Sequence, residues 1–91
     1  MKLSFNATLR AIVGARTVEF ELPPDATIQT LIESLAERYP ALREHLLTEE
    51  GGLSRRVNIF VAGRNVRWLD GAATRIDGEA QIDFFPPVAG G

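Results

Sequence analysis

No cysteine occurs among the 91 residues. Disulfides, thiolate metal sites and cysteine nucleophiles are thereby excluded. Lysine is almost missing too, Lys2 being the only one, and His45, Trp68, Tyr39 and Met1 are each the single residue of their type. There is no basic block, and the net charge is −2, which argues against a nucleic-acid duplex as a partner. A signal-peptide pattern and a long apolar run are both absent, so the expectation is a cytosolic protein with no membrane partner.

The absences extend to catalysis. His45 has no cysteine near it, and Ser34, Ser54 and Asp83 sit in no triad spacing. Glu49-Glu50 and Asp77 with Glu79 fall in turn-like stretches, where carboxylates are ordinarily solvated. No metal-ligand cluster, phosphate-binding loop or dinucleotide fingerprint occurs. The chain is expected not to be an enzyme, and to bind no cofactor or metal of its own.

What is present is an apolar share of 45%, enough for one modest core in one domain spanning residues 1–91. Leu3, Phe5, Ala7 and Leu9 alternate with polar residues, predicting a strand over residues 2–9. Val18, Phe20 and Leu22 predict a second strand, with Gly14 as the positive-φ residue of the turn between them. Pro23-Pro24 ends that strand. The period then changes: Ile28, Leu31, Ile32, Leu35 and Ala36 recur at helical spacing. Thr27 is the expected N-cap, and Asp25 lies near enough to favour the helix start. Pro40 stops the helix and opens a short second one, with Leu42 and Leu46 on one side. Residues 48–54 read as an exposed loop. Residues 57–61 form a strand with Val57, Ile59 and Val61 on one face and Asn58 and Phe60 on the other. Residues 66–68 are expected as a short edge strand. The final strand covers residues 81–85, with Ile82 and Phe84 inward and Pro86 ending it. The class is α+β, a mixed four- or five-stranded sheet with one main helix on one face.

Two features carry a functional reading. By strand parity Phe60 and Phe85 point away from the helix-covered face. Val66 and Trp68 are expected to extend them into an exposed apolar docking patch. The second feature is the ending Pro86-Pro87-Val88-Ala89-Gly90-Gly91. With glycine at about 7% of residues, two in the last two places arise by chance roughly once in two hundred chains. The prolines fix φ twice and make a stiff, projecting tail over residues 86–91. Its reach is at most about 20 Å. Gly90 and Gly91 have no Cβ and suit a slot too narrow for side chains.

The stretch from Gly78 through Asp83-Phe84-Phe85-Pro86-Pro87 to Gly90-Gly91 resembles the C-terminal signature of the MoaD/ThiS family of ubiquitin-like sulfur carriers. The resemblance implies a β-grasp fold, with the first and last strands parallel and adjacent in the sheet centre. It implies that an E1-like adenylyltransferase and sulfurtransferase uses ATP to adenylate the Gly91 carboxylate, which then becomes a thiocarboxylate. Gly90 would clear the partner's slot, and the patch around Phe60 and Phe85 would dock, with Asn6 at the first-strand position of that patch. The ending looks most like the molybdopterin synthase small subunit, which implies the synthase large subunit as partner. Residues 57–61 and 65–71 look more like the CysO type of cysteine biosynthesis. That type implies a PLP-dependent cysteine synthase and a metal-dependent protease, and it is the preferred expectation. A ubiquitin-like modifier joined to lysines, and a plain β-grasp binding module, remain as alternatives.

Overall fold

Phe5 and Phe84 stack at the middle of the molecule, with ring centroids 4.9 Å apart and planes 14° from parallel. The strands that carry them are the axis of the sheet. The structure, a computed structural model, describes residues 1–87. In it β1 (Lys2–Phe5) and β5 (Gln81–Phe85) run parallel, with Leu3 opposite Ile82 and Phe5 opposite Phe84. β2 (Thr17–Glu19) pairs antiparallel with β1, β3 (Asn58–Val61) antiparallel with β5, and β4 (Arg64–Asn65) antiparallel with β3. The order is β2-β1-β5-β3-β4. A parallel pair needs a crossover, and the main helix supplies it on one face. This is the mixed α+β sheet expected, with five strands and the first and last adjacent.

That helix, α2 (Ile28–Arg38), begins where the sequence predicts. Thr27 and Thr30 cap each other, each backbone N–H donating to the other's Oγ1 at 3.3 Å. Ile28, Leu31, Ile32, Leu35 and Ala36 are its buried face. They pack with Leu3, Phe5, Ile59, Ile82 and Phe84 in one core. Asp25 is not in the first turn. It pairs with Arg75 at 2.7 Å, beside main-chain bonds from Ile28 N–H to the Thr74 carbonyl and from Ile76 N–H to that of Ala26. The helix start is thus tied to the segment leading into β5. Pro40 opens a 3-10 turn (Pro40–Leu42) that leads into α3 (Arg43–Leu46), with Leu42 and Leu46 buried as expected. In the loop that follows, residues 48–50 are exposed, but Ser54 is buried.

Three of the expected elements also differ. β1 stops at Phe5, and residues 8–13 are a short helix, α1 (Thr8–Val13), ended by Gly14 at φ 85°. Leu9, Ile12 and Val13 also fit helical spacing, and Leu9 reaches the core from the helix. β2 ends at Glu19 rather than Leu22, although Val18, Phe20 and Leu22 still pack on the core partly buried. Residues 66–68 are not an edge strand. The edge strand is β4, joined to β3 by Ala62-Gly63, both at positive φ (50° and 82°), as a two-residue primed hairpin turn requires. Val66–Trp68 then coils into a 3-10 turn because the Asn65 Oδ1 accepts the Arg67 N–H at 2.9 Å. A side-chain acceptor has replaced a sheet partner. Val66 consequently enters the core, 1% exposed, and is excluded from any docking patch.

Candidate functional site: the aromatic face beside Pro86-Pro87

Along β5 the side chains alternate, Ile82 and Phe84 to the core and Gln81, Asp83 and Phe85 to the uncovered face. Phe85 lies opposite Asn58, while Phe60 lies opposite Asp83. The two phenylalanines are therefore diagonal neighbours across two paired strands, a separation aromatic rings can span. They meet edge to face, centroids 5.5 Å apart and planes at 85°, the favourable arrangement for two ring quadrupoles. Phe85 remains 39% exposed, and Phe60 is half-buried.

The pair forms one wall of an open hollow of about 560 Å³, completed by Asn6, Ala7, Asn58, Pro86 and Pro87. Asn6 is fixed there by two bonds to the Phe84 carbonyl, from its backbone N–H at 3.1 Å and from its Nδ2 at 3.0 Å. Ala7 turns the chain away at φ 52° and ψ −127°, a region costly for any residue with a Cβ. Pro86 and Pro87 also line a second hollow of about 330 Å³, with Leu9, Glu44, His45, Arg56 and Val57. The chain leaves the sheet between the two.

Of the residues expected to dock, Phe60 and Phe85 come together, and Pro86 and Pro87 stand beside them. Val66 is in the core. Trp68 is 84% exposed, but it does not line this hollow. Val88, Ala89, Gly90 and Gly91, the expected tail and thiocarboxylate site, lie outside the described residues. Asn58 belongs to the site through the same parity that placed Phe60. Ala7 carried no signal, because an alanine gives no hint of positive φ. Among the described residues the hollow is lined by amide, methyl, pyrrolidine and phenyl groups and by no titratable side chain. With two phenyl rings and two pyrrolidine rings in its lining, it offers apolar surface for a partner to bury. Among the described residues no group of three His, Cys, Asp or Glu is placed to hold a metal ion. Nor is any helix of the described residues long and apolar enough to cross a membrane.

The profile of the ThiS family matches residues 3–91. The chain belongs to the ThiS family. Like its MoaD/ThiS relatives it is a ubiquitin-like protein with a β-grasp fold. It is 38% identical over 91 residues to small archaeal modifier protein 3 of Haloferax volcanii, covering all of this chain and 98% of that one. It is 36% identical over 67 residues to the sulfur carrier protein CysO of Mycobacterium tuberculosis, covering 71% and 72% of the two chains. In the crystal structure of the Amycolatopsis orientalis BexX/CysO complex one chain superposes with a TM-score of 0.81 at 27% identity, over 99% of this chain and 98% of that one. The chain is thus a ubiquitin-like member of a carrier and modifier family rather than of a family of catalysts.

Proposed function

We propose that the chain is a sulfur carrier that works through the carboxyl group of Gly91, presented to partner enzymes from the aromatic face. The observation that supports this best is the position of Phe85. It is the last residue of the central strand, it is exposed on the uncovered face against Phe60, and it leads within six residues to Gly90-Gly91. An apolar grip at the base and a side-chain-free end suit a partner that must hold the body and thread the terminus.

A carboxylate resists acyl transfer because its leaving group is oxide. An E1-like partner removes that obstacle with ATP. The Gly91 carboxylate attacks the α-phosphorus and expels pyrophosphate, leaving an acyl adenylate. The terminal sulfur of an enzyme persulfide then displaces AMP to give an acyl disulfide. A thiol cleaves that disulfide, releasing the Gly91 thiocarboxylate and a second disulfide. ATP and the catalytic groups belong to the partner. The CysO relative favours cysteine biosynthesis as the destination, with a PLP-dependent synthase and a metal-dependent protease downstream. Molybdopterin synthase is the alternative acceptor.

A second reading has its own support. The relative named a modifier matches the whole chain, whereas the CysO match covers 67 residues. On that reading a lysine amine of another protein displaces AMP, and an isopeptide bond forms. Intact mass spectrometry decides, after incubation with the native adenylating enzyme, ATP and a persulfide donor. Replacement of one terminal oxygen by sulfur supports the carrier, and adducts on target lysines support the modifier. An unchanged mass beside an active partner overturns both, as does unchanged function after deletion of Gly90-Gly91.

A further inference from the structure

Between Glu50 and Asp70 the sequence has no carboxylate, yet Arg55, Arg56, Arg64 and Arg67 all fall there. They stand in a chain of net charge −2, so the remainder is strongly acidic and the charge is segregated. The fold gathers three of the four along one sheet edge. β4 is the terminal strand, and Arg64 on it is exposed. Arg67 and Trp68 follow in the 3-10 turn. The Arg67 Nη2 donates to the carbonyls of Arg55 and, at 3.1 Å, of Val57. These bonds lay the Arg67 side chain against the end of β3 and bring Arg55 beside it. Arg56 goes elsewhere, to the hollow with Glu44 and His45. Among the described residues no carboxylate pairs with Arg55, Arg64 or Arg67.

Trp68, 84% exposed, stands at the end of this row. Tryptophan and arginine are the residues that most often dominate binding at protein interfaces, an aromatic ring supplying area and guanidinium groups supplying planar donors for carboxylates. The Phe60–Phe85 hollow does not include either residue type, so this edge is a separate surface. We propose that Arg55, Arg64, Arg67 and Trp68 form a second docking surface, which takes an acidic segment of a partner protein and seats one of its apolar side chains on the Trp68 ring. Charge complementarity selects that occupant. A nucleic-acid duplex presents a phosphate charge about every 1.7 Å and rewards long basic tracts. Here three arginines stand on an otherwise acidic molecule, which suits a short carboxylate-rich stretch.

Trp68 is the sole tryptophan, so its emission reports directly on this surface. The probe is a short synthetic peptide of Asp and Glu interspersed with Leu and Phe, carrying a fluorescent label for anisotropy in parallel. We expect a saturable blue shift of Trp68 that weakens as salt is raised. The Arg55→Glu/Arg64→Glu double variant should bind at least about tenfold more weakly, each exposed pair being worth up to ~1 kcal/mol and reversal adding repulsion. Trp68→Ala, read by anisotropy, should bind more weakly as well. Arg67 is left intact because its bonds to two carbonyls support the fold. Circular dichroism checks folding, and Arg55→Gln/Arg64→Gln replaces the reversal if that variant unfolds. The proposal is overturned by the lack of a saturable shift, or by an equal response to a Lys-and-Leu control peptide. It is also overturned if a single-stranded oligonucleotide binds more tightly than the peptide, or if the shift appears in the protein alone as its concentration rises.

Discussion

Phe84 and Phe85 are adjacent in sequence and opposite in role, and alanine at each should damage the protein in a different way. Phe84 is wholly buried and stacked on Phe5 at 4.9 Å. Truncating a buried phenylalanine costs about 3–5 kcal/mol, transfer and cavity together. A chain of this length has roughly 5–14 kcal/mol in all at 0.05–0.15 kcal/mol per residue, so Phe84→Ala consumes a large share. Phe85 is 39% exposed. With about three-fifths of its surface buried, it forfeits roughly 1–2 kcal/mol of the 1.5–3 for full burial. The edge-to-face contact with Phe60 adds about 0.5–1.5 kcal/mol. Urea unfolding followed by far-UV circular dichroism separates the two. Trp68 emission would not serve, since that ring is already 84% exposed in the folded chain. Binding should reverse the ranking. Phe85→Ala, still folded, should lose about thirtyfold in affinity for the native adenylating enzyme if the ring contributes the ~2 kcal/mol of an interface hot spot. Equal unfolding midpoints for the two variants would refute the parity argument. Unchanged affinity in Phe85→Ala would refute the docking role of the face.

Two backbone predictions follow from positive φ at alanine. Ala62 has φ 50° at the first central position of the β3–β4 hairpin, where asparagine is favoured. Ala62→Asn should raise stability by about 0.5–1 kcal/mol and the melting temperature by several degrees. A lower melting temperature would contradict the turn assignment. Ala7 has φ 52° and ψ −127°. Ala7→Gly should relieve strain of roughly 1–3 kcal/mol against ~0.5–1 kcal/mol of added unfolded-state entropy. A net gain in the urea midpoint is expected, and a loss would show that the alanine methyl contributes more by packing than it costs in strain.

The elements read correctly from sequence are those whose pattern admits one period. α2 has five apolar residues at helical spacing and one obvious cap in Thr27, and β5 has strict alternation closed by a proline. α1 was illegible because Leu9 satisfies the strand alternation of Leu3 and Phe5 and also the helical spacing of Ile12 and Val13. The decision falls at Asn6, whose two bonds to the Phe84 carbonyl are contacts 78 residues away that no local pattern encodes. Val66 failed for a similar reason. Asn65 pairs opposite Phe60 through its backbone and also caps the following turn through its side chain, so the strand ends one residue before Val66. Parity put Phe60 and Phe85 on the outer face, but their meeting depended on β3 lying beside β5, which is a matter of topology. The family resemblance supplied that topology, and periodicity did not.

The position of β5 also bears on how a terminus is presented. A strand bonded on both sides opens only with the sheet, so its local stability approaches that of the whole fold. β5 is bonded to β1 and to β3 over its length. The Phe84 carbonyl accepts two donors from Asn6, one residue before the exposed ring of Phe85 and two before Pro86. The anchored part of the chain therefore ends abruptly, and prolines, which have no N–H to extend the ladder, stand where pairing stops. On the proposed function this matters quantitatively. A partner that grips Phe60 and Phe85 holds the origin of a six-residue segment, whose far end cannot lie more than about 20 Å away. The Gly91 carboxylate then meets the partner's active site at the effective concentration of a short tether rather than at that of free protein. On that proposal an aromatic pair with no chemistry of its own would contribute to the rate of acyl activation, by fixing where the search of the terminus begins.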